Sequence, residues 1–224
     1  MEKRKIIIGT YDTVEHGQWT LTGWTLSRAA AMESYVDIPG HSGPLDLSTA
    51  LTDGEPYYGS REFTATLETS EGSRLEREQR INDMINNLDG WRHNIVLPDD
   101  PTHYITGRIR VEKVYNDPAH AAVLVTAICD PWRYNFTETV VTIAAAAEER
   151  VVVLTNEGRR SVVPRVKVTD GDVRLKYIAD TQELTWALMP GEYTLGDIYL
   201  KSGTASLTYS GVGKVTFTYR EAVL

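Results

Sequence analysis

The chain carries a single cysteine, Cys129, in 224 residues. No intrachain disulfide can form, so stability cannot depend on cross-links. The thiol follows a run of mostly small apolar residues, Ala121-Ala122-Val123-Leu124-Val125-Thr126-Ala127-Ile128. No conspicuous activating group lies near it in sequence, so it reads as a buried core thiol. Long hydrophobic runs are missing too. No apolar stretch approaches the roughly 20 residues that span a bilayer. The run Ile6-Ile7-Ile8 is far shorter than a secretory h-region of roughly 7–15 residues. The expectation is a chain made and kept soluble in a cytoplasm, with no membrane contact. There is no basic surplus either: 31 acidic residues face 23 basic ones, for a formal charge of −8. That argues against non-specific binding to nucleic-acid phosphates, which needs clustered Lys and Arg.

The patterns of catalysis are equally scarce. No nucleophile is placed beside a base. Five histidines stand at 16, 41, 93, 103 and 120, and none pairs with another at i, i+4 on a helix. His93 and His103 flank Asp99 and Asp100, ligand types that zinc accepts, but a solvated loop is the stronger reading. Asp99 and Asp100 are the only pair weighed as glycosidase carboxylates. Neighbours on a strand point to opposite faces, and in a turn they bond the local backbone. Gly211-Val212-Gly213-Lys214 lacks the spacing and following helix of a phosphate loop and reads as a hairpin turn. Asn135-Phe136-Thr137 is a formal glycosylation acceptor, which has meaning only in a secreted eukaryotic chain. No catalytic, metal-binding or cofactor-binding residue is assigned.

What is present is mainly β. Hydrophobic residues make up 42%, enough for a packed core. Ile6–Ile8, Trp19–Leu26 and Tyr35–Ile38 read as strands, the last stopped by Pro39-Gly40. Residues 40–59, rich in Gly, Pro, Ser, Thr and Asp, read as a long loop or protruding hairpin, a feature that usually has a functional reason. Glu62–Thr69 alternates, with Phe63, Ala65 and Leu67 on one face. Ser73 and Glu76 form a capping box. Ile81, Met84, Ile85 and Leu88 then make an apolar helical stripe, which Asp89-Gly90 ends. Asn94–Leu97, Tyr104–Val114 and Ala122–Cys129 are three further strands, separated by Pro98-Asp99-Asp100-Pro101 and Asn116-Asp117-Pro118.

Beyond Tyr134 short alternating strands recur every ~8–12 residues, the rhythm of an antiparallel sandwich. They fall near 138–144, 149–155, 161–168, 172–178, 181–188, 192–200, 204–210 and 213–220. Asp170-Gly171, Asp180-Thr181-Gln182 and Pro190-Gly191 mark turns. Ala205, Leu207 and Tyr209, then Val215, Phe217 and Tyr219, share period two. The boundary falls near residues 134–140, giving an α+β domain over 1–136 (a β-sandwich with one helix) and a β-sandwich over 137–224. Trp186 and Tyr193 would be the stacking residues if the second domain bound sugar.

Several segments, in order, resemble one family. They are Ile38-Pro39-Gly40-His41-Ser42-Gly43-Pro44-Leu45-Asp46-Leu47; Tyr58 followed by Arg61 and Phe63; Leu88–Gly90; Leu97–Pro101; Tyr104–Arg108; Asp130–Tyr134; and the closing strand Gly213–Leu224. Their order and spacing resemble the phage distal tail protein (Dit) family, the Siphovirus-type tail component. The chain departs from that pattern at His41-Ser42, where a charged pair is expected.

The resemblance implies an N-terminal domain that closes into a homo-hexameric ring, and a C-terminal galectin-like or carbohydrate-module-like sandwich. It implies a place in the virion tail tip after assembly in the bacterial host cytoplasm. The expected partners are the tail tube protein, the tail-associated lysin or fibre hub protein, and receptor-binding proteins, with DNA passing through the lumen unbound. A head-to-tail ring needs two different complementary surfaces. Gly40, His41, Gly43, Leu45, Asp46, Tyr58 and Arg61 are the candidate interface loop. Residues 138–224 hold 11 acidic and 10 basic residues, which leaves 20 and 13, a net of −7, in residues 1–137. An acidic lumen that repels phosphates fits that excess. The competing reading is a carbohydrate-binding module serving host-surface adsorption, and a hydrolase is a third.

Overall fold

The computed structural model describes residues 4–52, 54–144, 146–179 and 182–224. It divides into two compact units, Met1–Arg133 with Leu224, and Tyr134–Val223. Both are mainly β.

The first unit contains β1 (Ile7–Ile8), β2 (Tyr11–Asp12), α1 (Thr13–Gly17), β3 (Thr20–Leu26), β4 (Tyr35–Val36), β5 (Leu45–Asp46), β6 (Arg61–Thr69), α2 (Arg74–Leu88), β7 (Arg92–Leu97) and β8 (Asp100–Asn116), with β9 (Ala121–Asn135) running on into the second unit. Strands β2-β1-β7-β8-β9-β6-β3 make one sheet in that order. The Leu21 N–H donates to Arg4 O at 3.0 Å, bringing β3 back to the chain entering β1, so the sheet curls.

The alternation along β6 sends Phe63, Ala65 and Leu67 into the core, all about 1% exposed, while Glu62 faces solvent. Val123, Val125 and Ala127 of β9, Ile105 and Ile109 of β8 and Ile95 of β7 join them. Helix α2 packs against β8 and adds Ile81, Met84 and Leu88, with Ile85 partly buried. Its capping box is complete: Ser73 Oγ accepts from Glu76 N–H, and Glu76 Oε2 accepts from Ser73 N–H at 2.6 Å. Past Asp89 the backbone turns at Gly90 (φ +76°).

Three first-unit features are not apparent from the sequence. Helix α1 did not stand out in sequence because it is five residues long. It exists because Asp12 Oδ1 accepts from the Val14 and Glu15 N–H groups. Arg77, on the buried side of α2, is 1% exposed. Its guanidinium donates to Gly72 O (2.6 Å), Asp117 O (2.8 Å) and Pro118 O (3.0 Å), tying the helix start to the β8–β9 turn. Pro101 lies inside β8, because Asp100 already pairs with Leu97 and only Pro98-Asp99 form the tip of that turn.

The second unit stacks two four-stranded antiparallel sheets. One has the order β10-β17-β12-β15, from β10 (Thr139–Ala144), β12 (Arg165–Thr169), β15 (Gly191–Thr194) and β17 (Lys214–Tyr219). The other has the order β11-β16-β13-β14, from β11 (Arg150–Asn156), β13 (Val173–Ala179), β14 (Gln182–Leu188) and β16 (Gly203–Gly211). Val166, Val168, Val215 and Phe217 from the first meet Leu154, Leu175 and Leu207 from the second.

The sequence-adjacent strands β16 and β17 belong to different sheets, so Gly211–Lys214 is a corner between sheets and not a hairpin turn. Asp170-Gly171 and Pro190-Gly191 are also corners. Two corners abut, with the Val212 N–H donating to Asp172 O at 2.9 Å. Gly213 (φ +110°) and Gly171 (φ +144°) leave no room for a Cβ there. The expected strand 192–200 is only Gly191–Thr194. Gly196-Asp197 turn the chain (Ile198 N–H to Leu195 O, 3.0 Å), and Leu200 then pairs with Val162 as an isolated bridge. Pro164, without a donor, separates that bridge from β12. The reversal expected at Asp180-Thr181-Gln182 falls largely outside the described residues.

Candidate subunit interface

The candidate loop belongs to a longer arm. The chain leaves β3 at Ser27 and returns at Arg61, and the two limbs pair as a ribbon between these points. Gly59 N–H donates to Ala30 O (2.8 Å), Met32 N–H to Tyr57 O (2.8 Å) and Leu47 N–H to Ser34 O (2.8 Å). Further out, Tyr35 pairs with Asp46 and Val36 with Leu45. By sequence the loop starts at Gly40 and Tyr35–Ile38 is a separate strand. The structure makes both one ribbon, which uses backbone pairing to hold a segment without a core of its own.

Gly40 (φ +85°) and Gly43 (φ +90°) turn the tip, where His41 Nδ1 lies 3.0 Å from Gly43 O. Leu45 and Asp46 form the short strand β5, both exposed. Asp46 is held below the usual carboxylate range by hydrogen bonds from the Ser48 side chain and backbone. Glu33 and then Asp46 push the Tyr35 phenol up, the mark of a locally negative field.

Met32, Tyr35, Val36, Ile38 and Leu51 are all exposed, Leu51 at 99%, and so is Tyr57 at 61%. A ribbon that leaves this much apolar surface uncovered is the pattern of an interaction segment.

At the arm's base the candidates are fixed to the body. Tyr58 packs edge-to-face on Trp132 with ring centroids 5.4 Å apart. Arg61 is 8% exposed and its Nε donates to Ser27 O at 2.7 Å, clasping the two limbs together. Its Nη1 is buried without a hydrogen-bond partner among the described residues. Burial pushes the Arg61 guanidinium down from its ordinary value, and repulsion from Arg133 adds to this.

Arg133 donates from Nη1 to Asp100 Oδ2 (2.9 Å) and from Nε and Nη2 to Leu224 O (3.1 and 2.6 Å). Burial raises the Asp100 carboxyl, but hydrogen bonds from His103 and Thr102, with the charges of His103 and Arg133, bring it below its ordinary value. Trp132 and Arg133 stand at the base beside the candidate residues Tyr58 and Arg61, and the one sequence signal for them is the Asp130–Tyr134 motif.

The other chemistry weighed in sequence is dispersed. His93 aligns with Gly107, whereas His103 Nδ1 lies 2.8 Å from Asp100 Oδ1. Among the described residues no group of three or more His, Cys, Asp or Glu could share a metal ion. Cys129 is 1% exposed, and burial pushes its thiol up to about 12. Trp186 and Tyr193 are partly buried and packed on the sandwich core, and the Tyr193 hydroxyl donates to Met189 O at 2.9 Å. No helix among the described residues is long and apolar enough to cross a membrane.

No family model matches the sequence, and no curated protein is similar to it at a significant level. A solved structure is similar over both units. The crystal structure of the SPP1 Dit protein (gp 19.1) matches 98% of this chain and 99% of its own, with a TM-score of 0.70 at 14% identity. The chain has the fold of SPP1 Dit. That neighbour is described as a paradigm of the hub adsorption apparatus in phages infecting Gram-positive bacteria. The likeness over nearly the full length of both chains includes the second unit, so the mainly β Dit fold, and not a lone sandwich module, describes this chain.

Proposed function

We propose that this chain is a structural subunit of the tail tip of a long-tailed phage or prophage. In this reading it is a hub between the tail tube protein and the tail-associated lysin or fibre protein, and it anchors receptor-binding proteins. Six copies form a ring through which DNA passes without specific binding. Its role is assembly rather than catalysis, and it is built in the bacterial host cytoplasm before residing in the virion. The observation that carries this reading is the full-length likeness to SPP1 Dit. The arm supports it, because an exposed apolar ribbon fixed at its base is what one subunit needs to reach the next. The net charge of −7 in residues 1–137 suits a passage that must not hold phosphates. The sugar-module reading is weaker, since the two aromatics it relied on are packed on the sandwich core.

The test is the mass and shape of the purified chain. Six copies of the 25.1 kDa chain give particles of about 150 kDa, with a central hole in negative stain. A species of one chain at every concentration, without rings, counts against the proposal.

A further inference from the structure

We propose that the arm of one copy seats on the arm base of the next, where the exposed Arg28 receives its carboxylates, the buried Arg61 beside Arg133 adds positive charge, and the Tyr58–Trp132 pair lies beside its apolar side chains. This rests on the assembly reading above and names the surface that the arm meets.

Residues 29–60 hold five carboxylates, among them Glu33, Asp37, Asp46 and Glu55, and no Lys or Arg. The base has the opposite excess. Arg28 is exposed and has no ion-pair partner among the described residues. Arg61 is 8% exposed with an unmatched Nη1, and Arg133 is close enough to repel it. The acids beside Arg61 and Arg133 are already engaged, Asp100 by Arg133 and His103 and Asp130 by Arg92. A buried guanidinium beside a second one is costly unless an anion completes it.

The tip carboxylates, Asp37 and Asp46, cannot supply that anion to their own base. Backbone pairing from Ala30/Gly59 out to Val36/Leu45 holds the limbs extended. At roughly 3.3 Å per residue the tip stands about 20 Å from the base. A second copy's arm can supply it. The acidic, apolar tip and the basic base with its aromatic pair are different surfaces of one chain, so the contact is head-to-tail and repeats until it closes.

The experiment uses two full-length charge variants, Glu33→Lys/Asp37→Lys in the arm and Arg28→Glu at the base. The three positions changed, Glu33, Asp37 and Arg28, are exposed, and unchanged thermal melting establishes that each variant folds. Mass photometry of wild type, each variant and their equimolar mixture gives the result. The expected outcome is a wild-type oligomer, at least a tenfold loss of oligomer in each variant alone, and recovery in the mixture, where each lysine arm meets a glutamate base. If wild type assembles and both variants assemble equally well, or the mixture fails to recover, the docking surface is overturned while the assembly reading stands. If wild type does not assemble, both fall.

Discussion

Tyr58 and Trp132 meet edge-to-face, with ring planes at 78° and centroids 5.4 Å apart. This contact joins the last residues of the arm to the distal part of β9, in the strand that carries the core residues Val123, Val125 and Ala127. Such pairs contribute about 0.5–1.5 kcal/mol beyond their buried area. Here the energy goes into fixing where the arm starts.

The first prediction follows from that contact. Trp132→Ala should speed hydrogen exchange at the Met32 and Gly59 amides, which close the ribbon near its base, with little change at Val123 or Val125. Trp132→Phe should restore much of the protection. Equal protection in wild type and Trp132→Ala would show that the ribbon holds itself without the ring contact.

Arg77 offers a stability test. Its fork satisfies carbonyls on two segments from a fully buried position. Arg77→Ala should destabilise the first unit by about 3 kcal/mol, because buried carbonyls lose their donors and a cavity opens. Arg77→Lys should recover only part of this, since one ammonium cannot reproduce the planar fork. Chemical denaturation of the three proteins measures it.

The abutting corners of the sandwich separate two glycines. Gly213→Ala should cost on the order of 2 kcal/mol, because φ is +110° and a Cβ meets the Thr169 carbonyl. Gly196→Ala, with open space around it, should be neutral or stabilise by about 0.4–1 kcal/mol. A shift in the melting of the second unit for Gly213→Ala alone is the expected result.

Much of this architecture was legible in the sequence, for identifiable reasons. Helix α2 showed itself because its cap, stripe and stop are all local in sequence. Phe63, Ala65 and Leu67 showed the buried face of β6 through period two, and most of the sandwich strands did the same. What stayed hidden depends on partners far along the chain. Gly211–Lys214 reads as a hairpin by composition, and only the pairing of β16 with β11 and β13, and of β17 with β10 and β12, makes it a corner. Arg77 looks like a solvent-facing helix residue until the β8–β9 turn supplies its acceptors. Of the arm's front limb only Tyr35–Ile38 shows as a strand in the sequence, because the limb's pairing with residues 45–59 is not written in periodicity. Trp132 and Arg133 acquire their roles only when β9 ends beside Tyr58 and Asp100.

Acid should weaken the base of the arm. The Asp100 carboxyl lies below its ordinary value in the folded chain, so its contribution to stability is fully present above the unfolded value near 3.9 and is lost as pH falls through the folded one. Asp100→Asn should therefore melt earlier than wild type at pH 6, and the two should converge as pH falls through the folded carboxyl's value. A constant gap across that range would remove Asp100 ionisation from the account.

The most direct measurement of the central claim is antibody labelling of virions that encode this chain, viewed by electron microscopy. The account predicts label at the tail end farthest from the capsid, one cluster per particle, and tails without a closed tip when the gene is deleted. Label absent from the tail, or intact infectious tails in the deletion, would contradict it.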